Sequence, residues 1–445
     1  MRVVSGLEAG KQFLGRRPAE VAQPSAAMKR RVADVFGEDL AFDEVVCRII
    51  RDVRARGDWA LLDYSRRLDG VRLTQIEVPA GEVAEASEKL DRRLLRALEL
   101  AARRVRKFHV AQKRKLGLDF KQGGLGFVSR PLDRVGIYVP GGKASYPSTV
   151  LMTAIPARVA GVGEVVMATP PAPDGSVPAA TLAAAHLAEV DRVFRVGGAQ
   201  AIAAMAFGTE SVPRVDKVCG PGNVFVTLAK KQVYGAVAID GLHGPTETVI
   251  VADAAASPAL CATDLLAQAE HDEMASAILI TTSSRLAEEV GREVERQVVR
   301  LKRRAIARRS LEQNGAAIVV SSVEEAIELV NLYAPEHLCL MVKDARSYLG
   351  RIRHAGGIFI QSAEALGDYT AGPSHVMPTG GTARFSSPLS VLDFLKLSIV
   401  VDLDSRALRA LGPSAAAIAR AEGLTAHALS VEKRLKSPEE ERRSR

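Results

Sequence analysis

Four of the chain's histidines stand beside a carboxylate or an amide at a break in regular structure: His271, His337, His375 and His427. His109, His186, His243 and His354 have less around them. Imidazole exchanges protons near neutral pH and is a common metal ligand, so acid–base catalysis and metal binding are the chemistries on offer. A lone histidine is more often a satisfied structural group, and each setting has such an alternative. Gln268 and His271 lie three apart at the end of a helix expected to start at Pro258, which puts both side chains on one face. They read equally as an amide and an imidazole at a solvated helix end. Glu336 and His337 follow Pro335 directly. Neighbours in an ideal strand face opposite ways, so this pair serves one site only if the backbone is irregular there. Otherwise Glu336 caps a turn and His337 opens a buried strand. Asp368, in Gly367-Asp368-Tyr369, and His375, in Gly372-Pro373-Ser374-His375, fall in a stretch dense in Gly, Pro, Ser and Thr that runs to Gly381. A loop of that length is uncommon unless it is functional or disordered.

Three glycine clusters form a second group: Pro140-Gly141-Gly142, Val196-Gly197-Gly198-Ala199-Gln200 and Cys219-Gly220-Pro221-Gly222-Asn223. None matches Gly-x-Gly-x-x-Gly, the usual dinucleotide fingerprint. Each nevertheless follows an expected strand and leads into a helix, where backbone N–H groups can hold phosphate.

Positioning these residues requires sheets and helices in alternation. Up to about residue 115 the apolar residues recur at three- and four-residue spacing, in FDEVVCRIIRDVRARGDWALLDYSRRL and VAEASEKLDRRLLRALELAARRVRKFHVAQKRK, which predicts helices with few strands. From Arg134 short apolar runs take over: RVGIYV, EVVMAT, RVFRV, AVAID, TVIVAD, AILITT, AIVVS, HLCLMV and GIFI. Helices are expected between them at 148–159, 199–207, 222–234, 258–271, 284–304 and 323–333. Strands separated by helices indicate parallel sheets of the α/β class. Ser257-Pro258 has the form of an N-cap followed by proline at the first helical position, and Pro335 disfavours helix at Ala334.

Composition narrows the class of function. The hydrophobic fraction of 47% and charged fraction of 25% are those of a soluble globular protein, with about three domains expected from length. The net charge of +8 and the basic stretch 292–309 invite a nucleic-acid reading, but an aromatic content of 4% leaves little for base stacking. The stretch reads better as one solvated amphipathic helix, with Val298, Val299, Leu301 and Ile306 among the arginines. No run approaches the roughly 18 apolar residues of a membrane span, and the N-terminus lacks the order of a signal peptide, so a cytoplasmic protein is expected. The cysteines, Cys47, Cys219, Cys261 and Cys339, are far apart and are read as reduced and mostly buried. The charged segment 432–445 is expected to fray into disorder.

Taken in order, VGIYVPGG, VGGAQAIAAMAFGTESVPRVDK, GPGNVFVTLAK, QAEH, APEHL, GDYTAGPSHVMPT and FSSPLSVLDFLK closely resemble the motifs of the histidinol dehydrogenase family. The resemblance runs to EGLTAH and leaves out only the charged tail. It implies Zn²⁺ held by Gln268, His271, Asp368 and His427, a mixed oxygen and imidazole set suited to that metal. It also implies that His337 takes the alcohol's proton while hydride leaves for NAD, and that Glu336 activates water on the aldehyde for a second hydride transfer to a second NAD. Thr246, His375 and Glu422 then match substrate-binding positions, as do Gln268, His271, Glu336, Asp368 and His427; Tyr138, Gln200 and Asn223 match NAD contacts. Thr246 stands where serine is usual, Ser374 where asparagine is usual, and Leu242-His243 where a Pro-Ala pair is common. The substrate implied is L-histidinol, oxidised through L-histidinal to L-histidine. The alternative is a related zinc and NAD dehydrogenase of another polar alcohol such as sulfopropanediol.

The fold implied is α/β, with two incomplete Rossmann-like parallel-sheet domains, a helical N-terminal domain and a small C-terminal helical extension. The first α/β domain would take 1–35, 115–138 and 245–388, the helical domain 36–114, the second α/β domain 139–244, and the extension 389–445. The resemblance further implies a homodimer whose extension completes the partner's site, with no nucleic-acid or membrane partner.

Overall fold

The computed structural model describes residues 1–15, 26–38, 40–141 and 145–436. The tail beyond 436 and Gly142, both subjects of expectations above, lie outside the described residues. The strands are β1 (Arg2–Ser5), β2 (Phe120–Gln122), β3 (Leu125–Pro131), β4 (Arg134–Tyr138), β5 (Glu164–Thr169), β6 (Arg192–Arg195), β7 (Lys217–Cys219), β8 (Ala238–Ile239), β9 (Glu247–Ala252), β10 (Ser276–Thr281), β11 (Ala316–Val319), β12 (His337–Met341), β13 (Gly357–Ile360) and β14 (Leu395–Val401). They form two parallel sheets, ordered β1-β11-β10-β9-β12-β13 and β6-β5-β4-β7-β8, and one antiparallel sheet ordered β14-β3-β2. The chain divides into two compact units, residues 1–113 with 132–394, and residues 114–131 with 395–445.

The first unit holds both parallel sheets. A parallel sheet is covered on both faces by crossover helices, so its strands must be apolar on both sides. β9 shows this: all six residues are buried. Ile250 and Ala252 enter one cluster with Leu265, Leu279 and Val294, while Val249 and Val251 enter the opposite one with Ile278, Ile318 and Leu338. In the smaller sheet the helix Phe42–Tyr64 packs Val45, Ile49 and Leu61 against Ile202 and Met205 of the helix Gly198–Phe207. Each such side chain, fully buried, contributes about 1.5–3 kcal/mol.

Several expectations change at element boundaries. The basic helix expected over 284–304 ends at Val298, and a second helix runs Arg304–Asn314. In one unbroken helix Val298 and Ala307, nine residues apart at about 3.6 residues per turn, would lie on opposite faces. Both bury in the same core, so the chain has to turn between them. The segment around 83–115 is broken too, because Asp91 accepts from the N–H groups of Arg93 and Leu94 at 2.9 and 3.0 Å and starts the helix Arg92–Leu116 afresh. β1, within the segment expected to be almost wholly helical, extends the larger sheet by pairing with β11.

The second unit carries the antiparallel sheet, which the sequence reading did not anticipate, and the helices Ser405–Ala421 and Thr425–Leu435. On β14, Leu397, Ile399 and Val401 alternate along one face and are 50%, 73% and 64% exposed. Phe120 and Leu125 on the neighbouring strands are exposed as well. Among the described residues no helix is long and apolar enough to cross a membrane. Cys219, Cys261 and Cys339 are buried free thiols, and Cys47 is exposed.

Candidate functional site

In the smaller sheet, the carboxyl ends of β4, β6 and β7 bring Tyr138, Gln200 and Asn223 into one region, where ligands of open α/β sheets bind. The Tyr138 hydroxyl accepts from Gly198 N at 3.0 Å, and Gln200 is buried with its Oε1 lacking a hydrogen-bond partner. Gly220 has φ of 109°, and a Cβ there would lie 2.1 Å from the Tyr138 carbonyl oxygen, so only glycine lets this turn approach β4. The amides at the next helix start are not free for phosphate, however. Asn223 Oδ1 already accepts from Phe225 N and Val226 N at 3.0 and 3.2 Å as N-cap of the helix Val224–Val233. Asn223→Ala is therefore expected to lower stability by about 1 kcal/mol without any ligand. A thermal unfolding midpoint equal to that of the unmutated protein would refute the capping role.

The second group sits at the amino ends of neighbouring strands β9 and β12, which pair through His337 and Thr248. The helix Val323–Tyr333 starts on a Ser322 cap and stops at Ala334, whose φ of 52° is left-handed and uncommon for a residue with a Cβ. This is the irregularity the Glu336-His337 pair requires, and both side chains enter one buried site. Glu336 Oε2 accepts from the Thr246 hydroxyl at 2.6 Å and from Glu247 N at 3.1 Å. His337 Nε2 donates to Asp368 Oδ1 at 3.1 Å, and its Nδ1 lies 3.5 Å from Glu336 Oε2 without a formed hydrogen bond. The ring stacks on Phe359 at 5.6 Å between centroids. His375 Nδ1 donates to the Asp368 carbonyl at 2.7 Å, and its Nε2 faces the Thr149 hydroxyl at 3.3 Å.

Gln268 is buried and held on both sides of its amide. Nε2 donates to Glu364 Oε2 at 3.1 Å, so Oε1 turns the other way, 3.0 Å from the Thr246 oxygen. That hydroxyl has one proton for two acceptors. The shorter bond goes to the Glu336 carboxylate, leaving Gln268 Oε1 as an acceptor short of a donor.

Charge is concentrated here. Burial opposes protonation of His337, but Glu336, Asp368 and Glu364 outweigh it and hold its pKa well above the ordinary imidazole value, contrary to the neutral ring expected of a base. Burial likewise opposes ionisation of Asp368, and His337 prevails in keeping it ionised. Burial pushes the Glu364 carboxyl up, and it pushes Asp264, beside Glu364, up to about 6.

The model of the family described as "Histidinol dehydrogenase" matches residues 37–435. The chain belongs to the histidinol dehydrogenase family. Histidinol dehydrogenase of Dehalococcoides mccartyi (strain CBDB1) is 51% identical over 439 residues, covering 98% of this chain and 100% of its own length. That of Deinococcus radiodurans is 51% identical over 441 residues with the same coverage. The crystal structure of histidinol dehydrogenase from Elizabethkingia anophelis superposes with a TM-score of 0.89 at 35% identity, covering 98% of each chain. The family relationship thus spans the larger unit and most of the smaller.

Of the residues singled out from sequence, Thr246, Gln268, Glu336, His337, Asp368 and His375 meet in the first unit. His271 and Asp368 are held differently from expectation. The helix Pro258–Ala269 ends before His271, which is exposed one residue beyond its cap, with its carbonyl bonded by Arg303 at 3.2 Å. Asp368 belongs not to a loop but to the short helix Glu364–Tyr369. Glu422 and His427 lie in the second unit, both exposed, at the end of one helix and within the next. Among the described residues no three His, Cys, Asp or Glu side chains converge as a metal site. Sequence reasoning missed Glu364, Thr248 and Phe359. Glu364 and Asp368 are four apart and so share one helix face, a spacing that flags paired carboxylates once the segment is read as helix.

Proposed function

We propose that the chain oxidises L-histidinol through L-histidinal to L-histidine with two NAD, as an enzyme of the cytoplasm. The observation that carries this is the buried cluster of Glu336, His337, Asp368, Gln268 and Thr246, in which an imidazole and a carboxylate serve one space, with Nε2 of the imidazole turned to Asp368 and Nδ1 left without a hydrogen bond. His337, as the neutral ring with its Nε2–H on Asp368, removes the alcohol proton at Nδ1. Glu336, fixed by Thr246 and Glu247, takes a proton from the water that adds to the aldehyde. NAD supplies the hydride acceptor; the unpartnered Gln200 Oε1 and the Gly220 turn support a dinucleotide at Tyr138, Gln200 and Asn223.

Zn²⁺ is the metal we assign to Gln268, His271, Asp368 and His427. The donor chemistry fits a borderline cation, and the under-donated Gln268 Oε1 fits a positive partner. Zinc, when bound, supplies charge that orients the substrate's imidazole and amine and offsets the carboxylates around His337. Thr246 and His375 contact the substrate. The exposed apolar face of β14 supports a homodimer, in which Glu422 and His427 complete the partner's site. In this division 245–388 carries the acid–base pair, 139–244 the dinucleotide side and 389–445 the shared segment, except that Arg134–Tyr138, expected with the first domain, pairs with β5 and β7 and so joins the dinucleotide side.

Two NADH per L-histidinol and one L-histidine are expected from zinc-loaded protein, and chelation is expected to abolish turnover. Full activity in protein shown to be metal-free would reject the zinc assignment. Preference for another polar alcohol, such as a sulfopropanediol, would reject the substrate.

A further inference from the structure

Behind the Gly220 turn lies a buried ionic network that the proposed chemistry leaves unused. Lys230 is 1% exposed; its Nζ donates to the Gly220 carbonyl at 3.0 Å and to Asp240 Oδ1. Asp240 Oδ2 accepts from Gly220 N at 2.7 Å. The peptide groups on both sides of Gly220 are thereby clamped by one ion pair, whose side chains are each 2% exposed. Charges this deep persist only when paired and fully bonded. The third member is His243. Its Nε2 lies 3.2 Å from Asp240 Oδ2 and its Nδ1 3.0 Å from the Met377 carbonyl. A carboxylate and a carbonyl only accept, so the ring is held between two acceptors.

Met377 is two residues beyond His375, in the loop that packs on the substrate side. The same segment is tied again one residue later, where Gly244 N donates to Thr379 Oγ1 at 2.6 Å, and Thr246 follows within the site. His243 thus spans from the turn that sets Asn223 to the loop that sets His375. A displacement of either one pulls on the other through two hydrogen bonds to a single ring.

We propose that His243 is a positioning residue that makes dinucleotide binding and amino-alcohol binding mutually dependent, by linking the Gly220 turn to the Met377 loop. This rests on the two binding sides assigned under Proposed function. Spatial continuity alone does not establish coupling, so the test has to measure it.

NADH binding to the zinc-loaded full-length protein would be followed by its fluorescence, without and with saturating L-histidine as a non-reacting companion. The ratio of the two dissociation constants is the coupling factor, and by reciprocity L-histidine affinity changes by the same factor. In the unmutated protein a factor of about 5 or more is expected, the lower end of ordinary coupling. In His243→Ala it falls to about 1, while each ligand alone still binds. Thr227→Val serves as the structural control. It removes a 2.9 Å bond to the His243 carbonyl but keeps the ring, and it retains the unmutated factor. His243→Gln, which keeps a donor for one of the two acceptors, gives an intermediate factor and substitutes should the alanine variant fail to fold. A coupling factor unchanged in folded His243→Ala or His243→Gln, or a factor of 1 in the unmutated protein, overturns the proposal. Failure of the unmutated protein to bind either ligand overturns instead the reading on which it rests.

Discussion

Glu336→Gln is expected to slow oxidation of L-histidinal by about 10²- to 10⁴-fold, the range for loss of one general acid–base group, while oxidation of L-histidinol falls by less than about tenfold. The substitution preserves the site's shape. An amide oxygen still accepts from the Thr246 hydroxyl and from Glu247 N, at positions now 2.6 and 3.1 Å from the carboxylate. What is lost is the capacity to take a proton from water. His337→Ala, by contrast, should impair the alcohol step at least as severely, because no other imidazole in the buried cluster is free: His375 is bonded at both nitrogens. Stopped-flow NADH formation from each substrate separates the steps. Equal losses in both steps for Glu336→Gln would end this division of labour.

The second large effect is a recovery. His337→Ala and His427→Ala proteins, each inactive, are expected to regain about a quarter of unmutated activity when unfolded and refolded together. Random pairing makes about half the dimers mixed, and each mixed dimer holds one intact site and one site with both lesions. This follows if His427, exposed in the second unit, acts in the partner's site. A site contained in one chain predicts no recovery, since every site keeps one lesion. Mixed dimers shown to have formed and bound zinc, yet inactive, would sink the shared site.

Much of this was legible because two periodicities and a few breaker residues govern it. Apolar runs such as TVIVAD and AILITT had to be parallel strands, since both faces are greasy. Ser257-Pro258 marked a helix start correctly because cap and proline act within one turn. Ends were harder. His271 falls past the helix because the last turn tightens, with His271 N donating to the Gln268 carbonyl at 3.1 Å, a local choice that spacing alone does not encode. Asp368 looked like loop because Gly367 and Gly372 mask a helix of six residues. The glycine answers a tertiary need: a Cβ at Gly367 would sit 2.4 Å from the Phe359 ring, which itself stacks on His337. β3 and β14 escaped notice because their partners are more than 250 positions apart in sequence, with Phe127 opposite Ile399. In the candidate site, the chain break that brings Glu336 and His337 into one space was readable from Pro335, whereas Glu364 was not. Its role exists only through burial next to Gln268 and Thr248.

The apolar ladder of Leu397, Ile399 and Val401 bears on how the protein is made. A newly released single chain presents these side chains to water, beside Phe120 and Leu125, on a sheet only three strands wide. Such a surface adheres to whatever apolar surface it meets first. In the proposed homodimer the encounter with a second copy is a race against adhesion to chaperones or to misfolded neighbours. Its speed rises with the square of subunit concentration, so yield should improve with the rate at which subunits accumulate until irregular aggregation takes over.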